Sequence, residues 1–282
     1  MQTGQLDSKE SVFHQPVKRI FRHALICVLR VFVEPLTVIR DLRGALVSGN
    51  ERLRTKIRER RRAKLNAVNA DAIFVWIPKS AGTSVFGALE QKGAQKLLSV
   101  EAIRTLFKHR GIVTFGHIYV PALLEEGLLT EDFFLRSYKF TIVRNPFDRV
   151  VSLFEYLRSG RWLPKTTTFE IFSRYLEEGA WEDIGLINHD GLSQLSPQVK
   201  WITDESGKIF VDQIYRFEDL ANCWPSIWHK LGVNGPTPQL AALNRSQRGP
   251  VSDYFSNRTI EVVQKVYAED FTVLDYSAEP AW

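Results

Sequence analysis

A chain of 282 residues, 44% hydrophobic and 12% aromatic, can bury a core large enough for one sizeable α/β domain with an appendage, which excludes disorder of the whole. The formal net charge of +5 points to an anionic ligand or surface, but residues 51–64 alone hold eight Lys or Arg against two Glu, so the remainder is close to neutral. Two cysteines, Cys27 and Cys223, form neither a disulfide framework nor a zinc spacing and favour a reducing, cytoplasmic setting.

In chain order, residues 1–70 read as an amphipathic and basic helical arm, and 71–282 as the main domain. Within 17–47 the apolar residues are interrupted by Arg22, Arg30, Glu34, Pro35 and Arg40, so no run reaches the ~18 uncharged residues of a spanning helix. A secretory signal is a poor match for the same reason. Such an arm suits peripheral contact with the inner, anionic face of a membrane, or packing on the domain or on a second copy in a homo-oligomer. A nucleic-acid role is not expected, because no stacking aromatics interleave Arg58 to Arg62.

Residues 72–77 (AIFVWI) are uniformly apolar and rich in β-formers, as in a strand buried on both faces of a parallel sheet. Lys79, Ser80, Ala81, Gly82, Thr83 and Ser84 follow as a small-sided turn with one cation, and Val85, Phe86 and Leu89 resume at helical spacing. A tight strand-to-helix turn aims unpaired N–H groups at one point, where the helix dipole also favours an anion, so the turn reads as a phosphate cradle. An ordinary connection with Thr83 as N-cap has the same composition. It is not a Walker loop, because Lys79 precedes Gly82 and does not follow a glycine.

Further along, 100–109 reads as a helix, 111–117 as a strand ending in His117, and 121–129 as a short helix. Residues 138–143 (YKFTIV) are a strand, Arg144, Asn145 and Pro146 its turn, and Phe147, Val150, Val151, Phe154 and Leu157 one face of the next helix. Arg144 therefore sits at the carboxyl end of a strand, the ligand-binding edge of open α/β sheets. Ser152 lies off the apolar stripe and can face the same edge, while Arg144 can instead pair with Asp148. Arg158, Arg161, Trp162 and Lys165 form a basic loop suited either to an anionic or sugar ligand or to solvent, with Trp162 folded inward. A helix is expected over 168–178, a strand over 208–217 entering a helix at Glu218, a loop with Arg245 and Arg248, and a last helix capped by Asn257.

The units strand–PKSAGTS–helix and strand–RNPFDRVVS–helix together resemble the two cofactor motifs of sulfotransferases that use 3′-phosphoadenosine 5′-phosphosulfate (PAPS), most closely the carbohydrate branch that includes the heparan sulfate 2-O-sulfotransferases. The resemblance spans roughly residues 72–276. It implies a sulfotransferase fold, a P-loop-like parallel sheet flanked by helices. It implies that Lys79 through Ser84 hold the 5′-phosphosulfate, and that Arg144 and Ser152, eight residues apart, hold the 3′-phosphate. Phe115 to Tyr119 resembles the segment carrying the catalytic histidine, which falls on His117; residues 216–220 resemble a late strand-to-helix junction; residues 243–254 resemble the C-terminal cofactor loop, here with Arg245. The 2-O enzymes carry a second histidine where this chain has Phe115, and the missing disulfides and membrane stem resemble a bacterial relative.

The implied reaction moves a sulfuryl group from PAPS to a hydroxyl of a polysaccharide or glycolipid, leaving 3′-phosphoadenosine 5′-phosphate (PAP), with Lys79 stabilising the leaving phosphate, His117 as general base and no metal. A small-molecule kinase is the alternative enzyme and needs a Walker Gly-Lys pair and an Mg²⁺ carboxylate. A non-enzymatic membrane-surface adaptor is the alternative from another class, and deleting residues 1–70 separates it from an enzyme.

Overall fold

The structure is a computed structural model and describes residues 71–160, 162–180, 192–233, 235–241 and 248–282. The expected arm at 1–70, Cys27, Arg161 and Arg245 lie outside the described residues. Five strands form one sheet, β1 (Ala72–Val75), β2 (Gln95–Lys96), β3 (Ile112–Thr114), β4 (Tyr138–Val143) and β5 (Gln213–Arg216), in the order β2-β3-β1-β4-β5. Every neighbouring pair is parallel, with Phe74 opposite Phe140 between β1 and β4 and Ile73 opposite Val113 between β1 and β3.

The apolar run of β1 works because a helical layer covers each face. Ile73, Val75 and Ile77 enter one core cluster with Val113, Phe115, Phe133 and Trp201. Ala72, Phe74 and Trp76 enter another with Val85, Phe86, Phe140 and Trp224. A period of two is thus hidden inside a continuous hydrophobic stretch, as in a central parallel strand. A third cluster lies around the helix that follows β4, with Phe147, Val150, Phe154, Phe172, Val263 and Phe271.

The helices are α1 (Gly82–Glu90), α2 (Val100–Leu106), α3 (Val120–Glu125), α4 (Glu131–Arg136), α5 (Pro146–Ser159), α6 (Phe169–Glu177), α7 (Leu220–Lys230), α8 (Asn257–Val266) and α9 (Ala268–Val273). Several boundaries differ from the sequence reading, each for a local reason. β3 stops at Thr114, short of His117, because Gly116 takes a φ of 64° and turns the chain. α2 ends at Leu106, where Phe107 becomes extended and enters the core, and His109 turns at a φ of 48°. Only 213–216 of the strand expected over 208–217 pair with the sheet, while Ile209 bridges Thr203 in antiparallel fashion. Ser256, not Asn257, caps α8, in a capping box with Thr259. β2 and α4 are too short for a periodic signal.

The strand order places the functional edge. The chain builds β2 and β3 on one side of β1 and then crosses to β4 and β5 on the other, so the order reverses between β1 and β4. The crevice beyond the carboxyl ends of those two strands is where such sheets bind ligands. Both turns singled out from sequence emerge there.

Candidate active site

The first turn is built from main chain. Lys79 and Ala81 both adopt left-handed conformations, with φ of 66° and 62°, and Ser80 between them is fully buried. Left-handed residues alternating with ordinary ones point successive N–H groups toward one concavity that receives an anion. Each such residue with a side chain costs about 1 kcal/mol, so the surroundings must impose it. Gly82 shows how: a Cβ there would lie 1.8 Å from the Trp76 indole Nε1, so only glycine lets α1 start against that ring. Ala81 occupies the cap position of α1 and offers no side-chain acceptor. The Thr83 N-cap reading is thereby corrected.

Lys79 places its ammonium 4.3 Å from the centre of the Tyr156 ring. Burial first, and then the charges of Arg144 and Arg248, lower its pKa from 10.5 to about 8. The Ser80 hydroxyl points inward, donating to Gln198 Oε1 at 3.3 Å, so Ser80 can offer a ligand only its main chain.

The second turn is built from side chains. Asn145 caps α5 by accepting from the N–H groups of Phe147 (3.0 Å) and Asp148 (3.4 Å), with Pro146 at the first helical position. Arg144 donates through Nε to Asp148 Oδ2 at 2.6 Å and through Nη1 to the Lys79 carbonyl at 3.1 Å, and its guanidinium lies 4.2 Å from the centre of the Phe217 ring. Arg248 reaches the other oxygen of Asp148 and also its carbonyl. One carboxylate thus holds two guanidiniums beside the phosphate-type turn. Ser152 stands one helical turn beyond Asp148 and two beyond Arg144; it is 7% exposed, and its hydroxyl has no hydrogen-bond partner among the described residues.

A buried polar network ties the turns together. Gln198 accepts from the Arg144 N–H at 2.8 Å and from Ser80, and donates to the Arg144 carbonyl at 2.8 Å and to Asp270 Oδ2 at 3.2 Å. Arg149, 1% exposed, donates to the carbonyls of Pro78 (3.1 Å), Ser196 (3.2 Å) and Gln194 (2.9 Å). The end of β1, the start of α5 and the 192–201 segment are therefore fixed as one body. Arg149, Gln198, Arg248, Phe217 and Asp270 were not assigned roles from sequence. For Arg149 a signal existed, since a charged residue in the first turn of a helix, directly before the apolar pair Val150 and Val151, needs internal partners once that helix is buried nearly all round.

His117 lies beyond β3, half-buried, with Nδ1 3.0 Å from the Trp76 carbonyl and its ring edge-on to Trp76 and Trp201 at 5.7 and 6.2 Å. A carbonyl only accepts, so Nδ1 carries the proton and Nε2 holds the lone pair of the neutral ring. Burial is the largest influence on its pKa and lowers it; the bond to Trp76 opposes this, and Lys96, Arg149 and Lys79 lower it further. The imidazole is thereby kept neutral, in the tautomer of a proton acceptor.

The family model described as "Sulfotransferase family" matches residues 71–277. The chain belongs to the sulfotransferase family. Among solved structures it is similar to mouse sulfotransferase SULT7A1, crystallised in complex with PAP, at 17% identity and a TM-score of 0.46, over 77% of this chain and 93% of that one. No curated protein matches.

The matched sulfotransferase region contains all five strands and both turns. Of the residues expected from sequence, Lys79, Ser80, Ala81, Gly82, Thr83 and Ser84 make up the first turn and the start of α1, and Arg144 and Ser152 lie along the second unit. Of the two arginines in the late loop, Arg245 lies outside the described residues, and it is Arg248 that pairs with Asp148 beside Arg144. The expected acceptor loop divides. Arg158 is turned back onto Glu155, donating to both of its oxygens at 2.9 Å, and Tyr254 binds the same carboxylate. Lys165 is exposed, and Trp162, 53% exposed three residues beyond α5, is not folded inward. No helix among the described residues is long and apolar enough to cross a membrane.

Proposed function

We propose that this sulfotransferase moves the sulfuryl group of PAPS to a hydroxyl of a carbohydrate acceptor, a polysaccharide or glycolipid, with His117 as general base. The observation that carries the reading is the pairing, at one sheet edge, of a main-chain anion cradle with two arginines and a buried serine hydroxyl that has no partner among the described residues. These residues fit a nucleotide bearing phosphates at two ends. The turn from Lys79 to Ser84 would hold the 5′ end, and Arg144, Arg248 and Ser152 the 3′-phosphate. A single phosphate would leave one of the two groups without a ligand.

PAPS supplies a sulfuryl group already activated on a phosphate leaving group. The chain's own residues position and neutralise. The N–H groups of the turn and the Lys79 ammonium stabilise negative charge on the 5′-phosphate side, where it grows as the S–O bond breaks. His117 Nε2 takes the proton of the acceptor hydroxyl as its oxygen bonds to sulfur, and the Trp76 carbonyl holds the resulting imidazolium through Nδ1. The exposed ring of Trp162, 53% accessible just beyond α5, suits the apolar face of a sugar and supports a carbohydrate acceptor.

Calorimetric titration with PAP, with ATP plus Mg²⁺ as the comparison ligand, tests this reading. Micromolar binding of PAP is expected, weakened about 10- to 100-fold in Arg144→Ala through loss of charge-assisted hydrogen bonds. His117→Gln should bind PAP as the wild type does. Absence of PAP binding in folded protein, or a preference for ATP with Mg²⁺, overturns the proposal.

A further inference from the structure

Lys96 is not part of either phosphate-binding turn, yet it sits on the same indole that the candidate base meets. It lies on the edge strand β2, in register with Thr114 of β3, three residues before His117. Its ammonium sits 4.3 Å from the centre of the Trp76 indole and 5.5 Å from that of Phe86. The His117 ring meets the same indole edge-on at 5.7 Å and is fastened to the carbonyl of the same residue. Trp76 therefore carries a cation and an imidazole together, within about 10 Å of each other. Among the described residues no carboxylate forms an ion pair with Lys96, so its charge is not cancelled locally.

We infer that Lys96 is a positioning residue for His117, a fixed positive charge seated on Trp76 that disfavours the imidazolium and keeps Nε2 free of a proton. The inference rests on His117 as the base only for its catalytic meaning. Three cations face the imidazole from the elements around it: Lys79 from the turn after β1, Arg149 from α5 and Lys96 from β2. All three lower its pKa, as burial does, and only the bond to the Trp76 carbonyl opposes them. Arg149 is bound to three carbonyls and Lys79 belongs to the anion cradle, where a bound phosphate offsets its charge. Lys96 is exposed and outside the cradle, so it continues to act when the donor site is filled. The consequence is a base that stays unprotonated to lower pH, at some cost in basicity.

The test is a proton-NMR pH titration of the full-length protein labelled at histidine, without any ligand. The chain has six histidines, and the His117 signal is assigned by its loss in His117→Gln. Lys96→Gln should raise the His117 midpoint by about half a pH unit, the size expected for one charge at this range near a protein surface. Lys96→Arg should keep the wild-type midpoint. In 1 M NaCl, where screening acts within ~3 Å, the difference between wild type and Lys96→Gln should largely vanish. A Lys96→Gln midpoint equal to wild type overturns the inference. So does an equal rise in Lys96→Arg, or a rise unaffected by salt, because either marks a packing role on Trp76. The titration needs neither donor nor acceptor, so a failure of PAP binding leaves it intact and counts only against the proposed function.

Discussion

β1 and β4 lie side by side, each ends in a turn feeding a helix, and each delivers a cation to the same edge, yet the two turns are held by opposite means. After β1 the backbone is strained at Lys79 and Ala81, the donors are main-chain N–H groups, and the Lys79 ammonium rests on an aromatic face with no ion pair among the described residues. After β4 the helix has a regular side-chain cap, and Arg144 is fixed on a carboxylate, a carbonyl and a ring. Rigid main-chain donors with one mobile charge suit a phosphate whose charge changes during reaction; locked guanidiniums suit one that is only gripped. Division of labour between the turns then depends on their being kept in register, which is the task of Arg149 and Gln198.

The largest expected effect comes from cutting that tie. Arg149→Leu leaves the carbonyls of Pro78, Gln194 and Ser196 without donors and leaves Asp270, itself fully buried, without a nearby positive charge. A loss of about 3–5 kcal/mol is expected, a fall in Tm on the order of 10 °C. Arg149→Lys should recover little, because three carbonyls in different directions need the guanidinium fork. A Tm within 2 °C or so of wild type by circular dichroism would show that the turns hold their register without the tie.

Why this tie was not legible in the sequence is a matter of range. The strands 72–77 and 138–143, the turns after them and the helix at 147–158 were readable because their signals are local: an apolar run, a small-residue break, a 3.6-residue stripe. Lys79, Arg144 and Ser152 could be named because they sit at fixed offsets from those breaks. Gln198 meets Arg144 across 54 residues and Asp270 across 72, and Arg248 meets Asp148 across 100. No periodicity marks such partners. Arg158 misled for the converse reason: in a basic loop it reads as a free ligand, and only the structure shows Glu155 and Tyr254 closing over it.

The next effect sharpens the contrast between a mobile and a locked cation through pH. With a folded pKa of about 8 against 10.5 unfolded, Lys79 leaves the folded protein holding fewer protons than the unfolded chain across that window. Its contribution to stability is therefore most unfavourable below pH 8 and improves as pH rises toward 10.5. Ligand binding has the opposite sign, because an anion favours the protonated amine. PAP affinity should fall about fivefold from pH 8 to pH 9, with proton uptake measurable by calorimetry in buffers of different ionisation heat. Lys79→Arg, always charged, should bind without uptake and without the decline. Equal proton uptake in Lys79→Arg would assign the effect to another group.

The smallest effects test whether the backbone difference is real strain. Ala81 pays for its φ of 62° because its Cβ crowds the following carbonyl, whereas glycine takes that conformation freely. Ala81→Gly removes that penalty but frees the unfolded chain, and a net gain of about 0.5 kcal/mol is expected. The matching change after β4 has the other sign. Asn145→Gly removes the side-chain oxygen that accepts from Phe147 and Asp148, at a cost of a few tenths of a kcal/mol. Measured by urea denaturation side by side, the two variants should straddle wild type. If both fall below it, Ala81 is not strained, and the first turn owes its shape to packing of Trp76 against Gly82 alone. If they straddle it while Ala81→Gly also weakens PAP binding, the strain is what keeps the N–H groups aimed before the ligand arrives, and the turn has exchanged stability for pre-organisation.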